Sequence, residues 1–194
     1  MANIKLGGTT AISESSGALT IASSTLTTPT IASMANCTFP TGHVLQVVRY
    51  YTVAQSSFTM SGSDQLVNGM TKDITPKGAN SDFLIHVRWG GETASAWDCT
   101  FNIEMNGTRV NSTGSGRSHG LSMPAQTHDN TGNFSSTPEI MHLTTLVPTS
   151  SVIGTDITFR LVVTGGAEAI YSNSTKVGQD EVFSSELIIS EIQG

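Results

Sequence analysis

Few side chains in this 194-residue chain have the type and spacing to do chemistry, and they fall into three small groups. His119 and His128 share one polar stretch with Asp129, which offers two imidazoles and a carboxylate of the kind that hold a transition metal. No further ligand or supporting residue stands at a metal-binding spacing. Solvated loop histidines are therefore expected, with no metal and no other cofactor. Asp98 and Glu104 are the nearest pair of carboxylates for glycosidase chemistry. Six residues of strand would hold them about 20 Å apart, too far for either the retaining or the inverting mechanism. Trp97, Asp98 and Asn102 combine an aromatic face with hydrogen-bonding groups and would suit a sugar, although Trp97, opening a strand, is better suited to a core or a subunit interface. No nucleophile elbow, phosphate loop or dinucleotide fingerprint occurs, so the chain is not expected to be an enzyme.

The elements that position these residues read as strands. Val44, Gln46, Val48 and Tyr50 alternate with Leu45, Val47, Arg49 and Tyr51, which makes both faces mostly apolar and predicts a central strand. Phe83, Ile85, Val87 and Trp89 alternate with Leu84, His86 and Arg88, placing Trp89 in the core and His86 on the surface. The same period runs through Phe101, Ile103 and Met105 and through Ile157, Phe159, Leu161 and Val163. Asn106-Gly107 supplies the positive φ of a tight hairpin, with Thr108-Arg109-Val110 returning. Further strands are expected over residues 141–147, 169–172 and 186–192, and helical periods are absent or short. The pattern predicts an antiparallel β-sandwich of jelly-roll type over residues 42–194, with about eight strands. Residues 111–138 have no sustained period, and are expected to cover one end of the sandwich or to reach a neighbouring subunit.

Ahead of that body, no Lys, Arg, Asp or Glu occurs between Glu14 and Arg49. Residues 1–41 read as an extended arm. Its apolar positions, Leu19, Ile21, Leu26 and Ile31, are too sparse for a core of their own, and Pro29 excludes a central strand, so the arm is expected to clasp another subunit. Ser and Thr make up about a quarter of the residues and charged residues only 12%, a β-rich composition. A net charge of −6 with no cluster of Lys or Arg removes the electrostatic basis for binding nucleic acid or an anionic membrane. The start lacks a signal peptide's apolar segment and no apolar run is long enough to span a bilayer, so synthesis in a cytosol is expected. Cys37 and Cys99 fit no metal spacing and are expected to be ordinary thiols.

Three stretches resemble short proteins and fibre-tip domains encoded by tailed bacteriophages, especially those of marine and freshwater bacteria. They are Thr41-Gly42-His43-Val44-Leu45-Gln46-Val47-Val48, the segment Asp73-Ile74-Thr75-Pro76-Lys77 with the small polar residues and apolar strand that follow to Ile85, and the closing Ser184-Ser185-Glu186-Leu187-Ile188-Ile189-Ser190-Glu191-Ile192. The resemblance implies a β-sandwich knob on the outside of a virion, most often a homotrimer, attached by its N-terminal segment and without a catalytic signature. Many such proteins continue into a long shaft, whereas only the arm is present here. That difference favours a capsid decoration or cement protein held on the major capsid protein or another virion protein. The alternative is a tail-fibre tip that binds a host-surface glycan or protein.

Overall fold

The computed structural model describes residues 40–93, 99–112, 114, 119–124, 139–176 and 181–194, together with the backbone course of residues 3–6, 9–15 and 18–21. The chain divides into two compact units, Met1–Thr38 and Phe39–Gly194.

In the first unit, β1 (Asn3–Leu6), β2 (Thr9–Ser15) and β3 (Ala18–Ile21) form an antiparallel sheet in that order, with Ile12 in register with both Ile4 and Ile21. Over these residues the chain turns back on itself twice and is not a single extended run. The residue pairs Gly7-Gly8 and Ser16-Gly17 separate the strands, and both pairs favour tight reversals. Leu19 and Ile21 fall on β3, while Leu26, Pro29 and Ile31 lie outside the described residues.

The second unit is all-β among the described residues, and every pairing is antiparallel. One sheet holds β4 (Val44–Thr52), β5 (Ser56–Thr59), β7 (Asp82–Thr93), β10 (Glu139–Val147), β12 (Ala169–Ser172) and β13 (Ser185–Ile192). The other holds β6 (Gln65–Ile74), β8 (Cys99–Met105), β9 (Thr108–Arg109) and β11 (Ile157–Gly165) in the order β6-β11-β8-β9. In the first sheet β10 flanks one side of β7, and β13 and β12 follow one another along its other side. Beyond them β4 pairs with β13 and β5 with β12. The ten segments therefore fill eight strand positions.

The two sheets face each other across an apolar core. Odd-numbered residues of β7, β8 and β11 point inward, and the rings of Phe83 and Phe159 meet at 5.4 Å and those of Trp89 and Phe101 at 5.1 Å. Trp89 is fully buried, and its indole N–H donates to the Ser172 hydroxyl at 3.0 Å. The Asn106-Gly107 turn forms as expected, with φ of 51° and 82°, and joins Met105 directly to Thr108. In β6, Asn68 and Gly69 also have positive φ, at 44° and 66°, and the β11 pairing slips there between Arg160 and Val162. The three extra residues that β6 carries there turn both Val67 and Met70 into the core.

One expectation is overturned. β4 lies at an edge of its sheet and not at the centre. The apolar side chains on its outward face, Val47 and Tyr51, are 57% and 51% exposed, so their apolar character belongs to an open surface and not to a second buried layer.

Candidate functional site

The three stretches that carry the phage resemblance meet at one carboxylate. Glu191 shares the inward phase of Leu187 and Ile189 and is fully buried. Its Oε1 accepts from the backbone N–H groups of Lys77 and Gly78, both at 2.8 Å, and from the Ser81 hydroxyl at 2.7 Å. Its Oε2 accepts from Gln46 Nε2 at 2.6 Å, and the same amide also donates to the Thr75 carbonyl at 2.7 Å. A buried charge is tolerated when it is surrounded by donors in this way. The cluster is a clasp between β4, β13 and the turn after β6, and it leaves no group free for a ligand.

A second polar cluster lies on the outer face of the other sheet. Arg109, from the edge strand β9, donates through Nε to Asp64 Oδ2 at 2.7 Å and through Nη2 to Asp64 and to the Thr164 hydroxyl of β11. To reach Thr164 the side chain must cross β8. Its Nη1 donates to the His119 carbonyl at 2.7 Å. The Arg109 guanidinium holds the Asp64 carboxyl below its ordinary value, against the opposing effect of burial. Arg160 and Glu104 form an ion pair alongside. On the same face of β8, Asn102 is fully buried and neither of its amide atoms has a hydrogen-bond partner among the described residues. Asn102 and His119 are thus brought to one face, but Asn102 is closed off from solvent. Trp97, Asp98 and His128 lie outside the described residues. Glu104 is engaged by Arg160.

Two buried carboxylates, Glu92 and Glu139, sit at the end of β7. Glu139 follows the inward phase of Met141 and Leu143, and its Oε2 accepts from the Thr93 N–H at 2.8 Å. Burial pushes its carboxyl up to about 8, the neighbouring Glu92 adds to the rise, and the Thr93 N–H opposes it. Glu92 follows the outward phase of His86 and Arg88, and its Oε2 accepts from the Lys176 N–H at 2.6 Å. The two acids occupy opposite faces of one sheet and so cannot flank a common bond. Glu139 was legible from its phase with Met141, but a chain read for exposed catalytic pairs passes over it.

The outer face of the first sheet remains accessible. Its residues form cross-strand rows, Leu146-Leu84-Ser190-Val47 and Thr144-His86-Ile188-Arg49, followed by His142-Arg88-Glu186-Tyr51. Glu186 bridges Arg49 at 2.6 Å and Arg88 at 3.4 Å, and Arg49 lies 4.6 Å from the centre of the Tyr51 ring. Next to this face a cavity of about 410 Å³ is lined by residues 55–57, Tyr171 and residues 174–176. It exists because two adjacent strands leave the sheet at the same level. The edge strand breaks between β4 and β5, and β12 ends at Ser172, where Asn173 follows with a φ of 58° that interrupts the extended course. The Asn173 amide fixes both walls by donating to the carbonyls of Ala54, at 3.0 Å, and Thr52, at 3.3 Å. The opposite wall is held by the Lys176 N–H on Glu92 and by the Thr175 hydroxyl on Glu181 at 3.2 Å.

No known family pattern matches the chain, and no curated protein matches it. Among solved structures it is similar to the dimeric latent PorU from Porphyromonas gingivalis, with 10% identity and a TM-score of 0.41. That similarity covers 80% of this chain and 14% of the PorU chain, so the chain spans a small part of that structure's length.

Proposed function

We propose that the protein is a non-enzymatic structural component of the outer surface of a tailed-phage virion, made in the bacterial cytoplasm and assembled as a homotrimeric decoration or cement protein. Its N-terminal unit anchors it to the major capsid protein or another virion protein, and a jelly-roll sandwich forms its body. The observation that carries this reading is the meeting of residues 41–48, 73–85 and 184–192 at Glu191. The stretches that resemble the phage proteins build one bonded unit. The strand order supports the jelly roll. Counting β4 with β5 and β12 with β13 as single strands, the sheets read first-eighth-third-sixth and second-seventh-fourth-fifth. Two wrapped Greek keys produce that order. Jelly rolls serve in virus shells and in lectins, so the step from fold to role is by analogy. Exposed Val47, Tyr51, Ile140, Leu146 and Val182 support contact with another protein.

The test compares the full chain with one starting at Phe39 on capsids stripped of it. The full chain is expected to saturate them, and the truncated chain to stay folded by circular dichroism without binding. Saturation by the truncated chain would remove the anchoring role. A second reading, a fibre tip that recognises a host-surface glycan or protein, is favoured by the preformed cavity beside β12. Gold-labelled antibody on intact particles separates the two, with label over the head for decoration and label at the tail end for the tip.

A further inference from the structure

We infer that the notch over the paired ends of β5 and β12 binds a saccharide unit. The inference goes beyond the structural role proposed above, and rests on the chemistry of the notch alone. A cavity of about 410 Å³ falls within the range of small-molecule sites. Most such sites are lined by apolar side chains. Among the described lining residues Tyr171 supplies the one aromatic ring, and every other side chain carries a hydroxyl, an amide or an ammonium group. A pyranose has the complementary surface, a C–H face that packs on an aromatic ring and a rim of hydroxyls that both donate and accept.

The groups are available. Among the described residues, the side chains of Gln55, Ser57, Tyr171 and Lys176 make no hydrogen bond or ion pair with the rest of the protein. The backbone that carries them is already fixed by Asn173, Glu92 and Glu181, so little ordering is needed on binding. Tyr171 and Ser57 are register partners on the outward face and form the floor. Gln55 stands on one wall, and Lys176 on the other adds a preference for a saccharide with a carboxylate, such as a uronic acid. One ring and a few hydrogen bonds correspond to a Kd of about 1 mM.

Saturation-transfer NMR on the full chain tests this with glucose, galactose, N-acetylglucosamine, glucuronate and galacturonate, each at about 10 mM so as to exceed that Kd. At least one sugar is expected to bind, with the uronic acids bound more tightly than the neutral sugars and that preference lost in Lys176→Met. Tyr171→Ala removes the platform, and Ser57→Trp fills the notch from an exposed position that the core does not use; each is expected to weaken binding at least about tenfold, or 1.4 kcal/mol. Should Tyr171→Ala unfold, Ser57→Trp decides. A parallel measurement on immobilised bacterial surface polysaccharides, with the same variants, separates the sources of the sugar. Tighter binding to the polymer identifies a cell-surface glycan, and equal binding identifies a free saccharide. No binding in either measurement, or binding that survives Ser57→Trp, overturns the site. Capsid saturation by Ser57→Trp remains intact if the structural role is separate, so the two readings fail independently.

Discussion

Glu191 shows how much a single carboxylate organises. Five donor contacts from two distant stretches converge on it, and its removal would take the acceptor from the Lys77 and Gly78 N–H groups. Glu191→Ala is expected to destabilise the body by about 3 kcal/mol or more in urea unfolding, because each orphaned buried group carries its own desolvation penalty. The inward phase of Glu191 is legible from Leu187 and Ile189, but its partners are not, since the Lys77 and Gly78 amides lie more than a hundred residues away in sequence. Glu139 makes the opposite prediction. Its carboxyl is held protonated in the folded state up to about 8, against 4.5 when unfolded. The stability it contributes is therefore full below 4.5 and is lost as the pH rises through 8. Glu139→Gln keeps an acceptor for the Thr93 N–H, so it should match the wild type in thermal unfolding near pH 4 and exceed it by several degrees at pH 9. A wild-type curve parallel to the variant's across that range would remove the claim.

At the scale of elements, alternation revealed the strands well. The hairpin at Asn106-Gly107 and the strands near residues 83–89, 101–105, 141–147, 157–163, 169–172 and 186–192 all appear where the period of two places them. What alternation could not supply was the neighbour of each strand. β4 read as central because both faces are apolar, yet its outward face lies open at an edge. The break between β4 and β5 had no sequence signal beyond a loss of period, although that break opens the cavity. The Gly90-Gly91 pair in β7 also gave no functional hint, and its reason is spatial. A Cβ on Gly91 would lie 2.1 Å from the Tyr171 carbonyl oxygen and 2.6 Å from the Trp89 ring. Gly91→Ala must therefore push β12 or the indole aside, and is expected to destabilise by about 2–3 kcal/mol in chemical unfolding. It should also weaken whatever the notch beside Tyr171 holds, whereas Gly62→Ala, with open space around the added carbon, should change neither.

In the second unit as a whole, all consecutive strand positions but the β8-β9 hairpin alternate between the two sheets, so that most neighbours are distant in sequence. Such a body folds by closing long loops, which is slower than assembling local hairpins. The strand β13 lies between β4 and β7, so the sheet is complete only once β13 has been added. The same pairing brings the two ends of the body together. The Gly42 N–H donates to the Gln193 carbonyl at 2.8 Å, and the Gln193 N–H donates back to the His43 carbonyl at 2.8 Å. Entry and exit of the chain thus share one spot on the surface. A body of this kind can be spliced into an exposed loop of an unrelated carrier with only short joints, since the carrier's own chain need not be stretched to admit it. It is also suited to circular permutation, with the old ends sealed at Gly194 and residue 40 and new ones opened elsewhere.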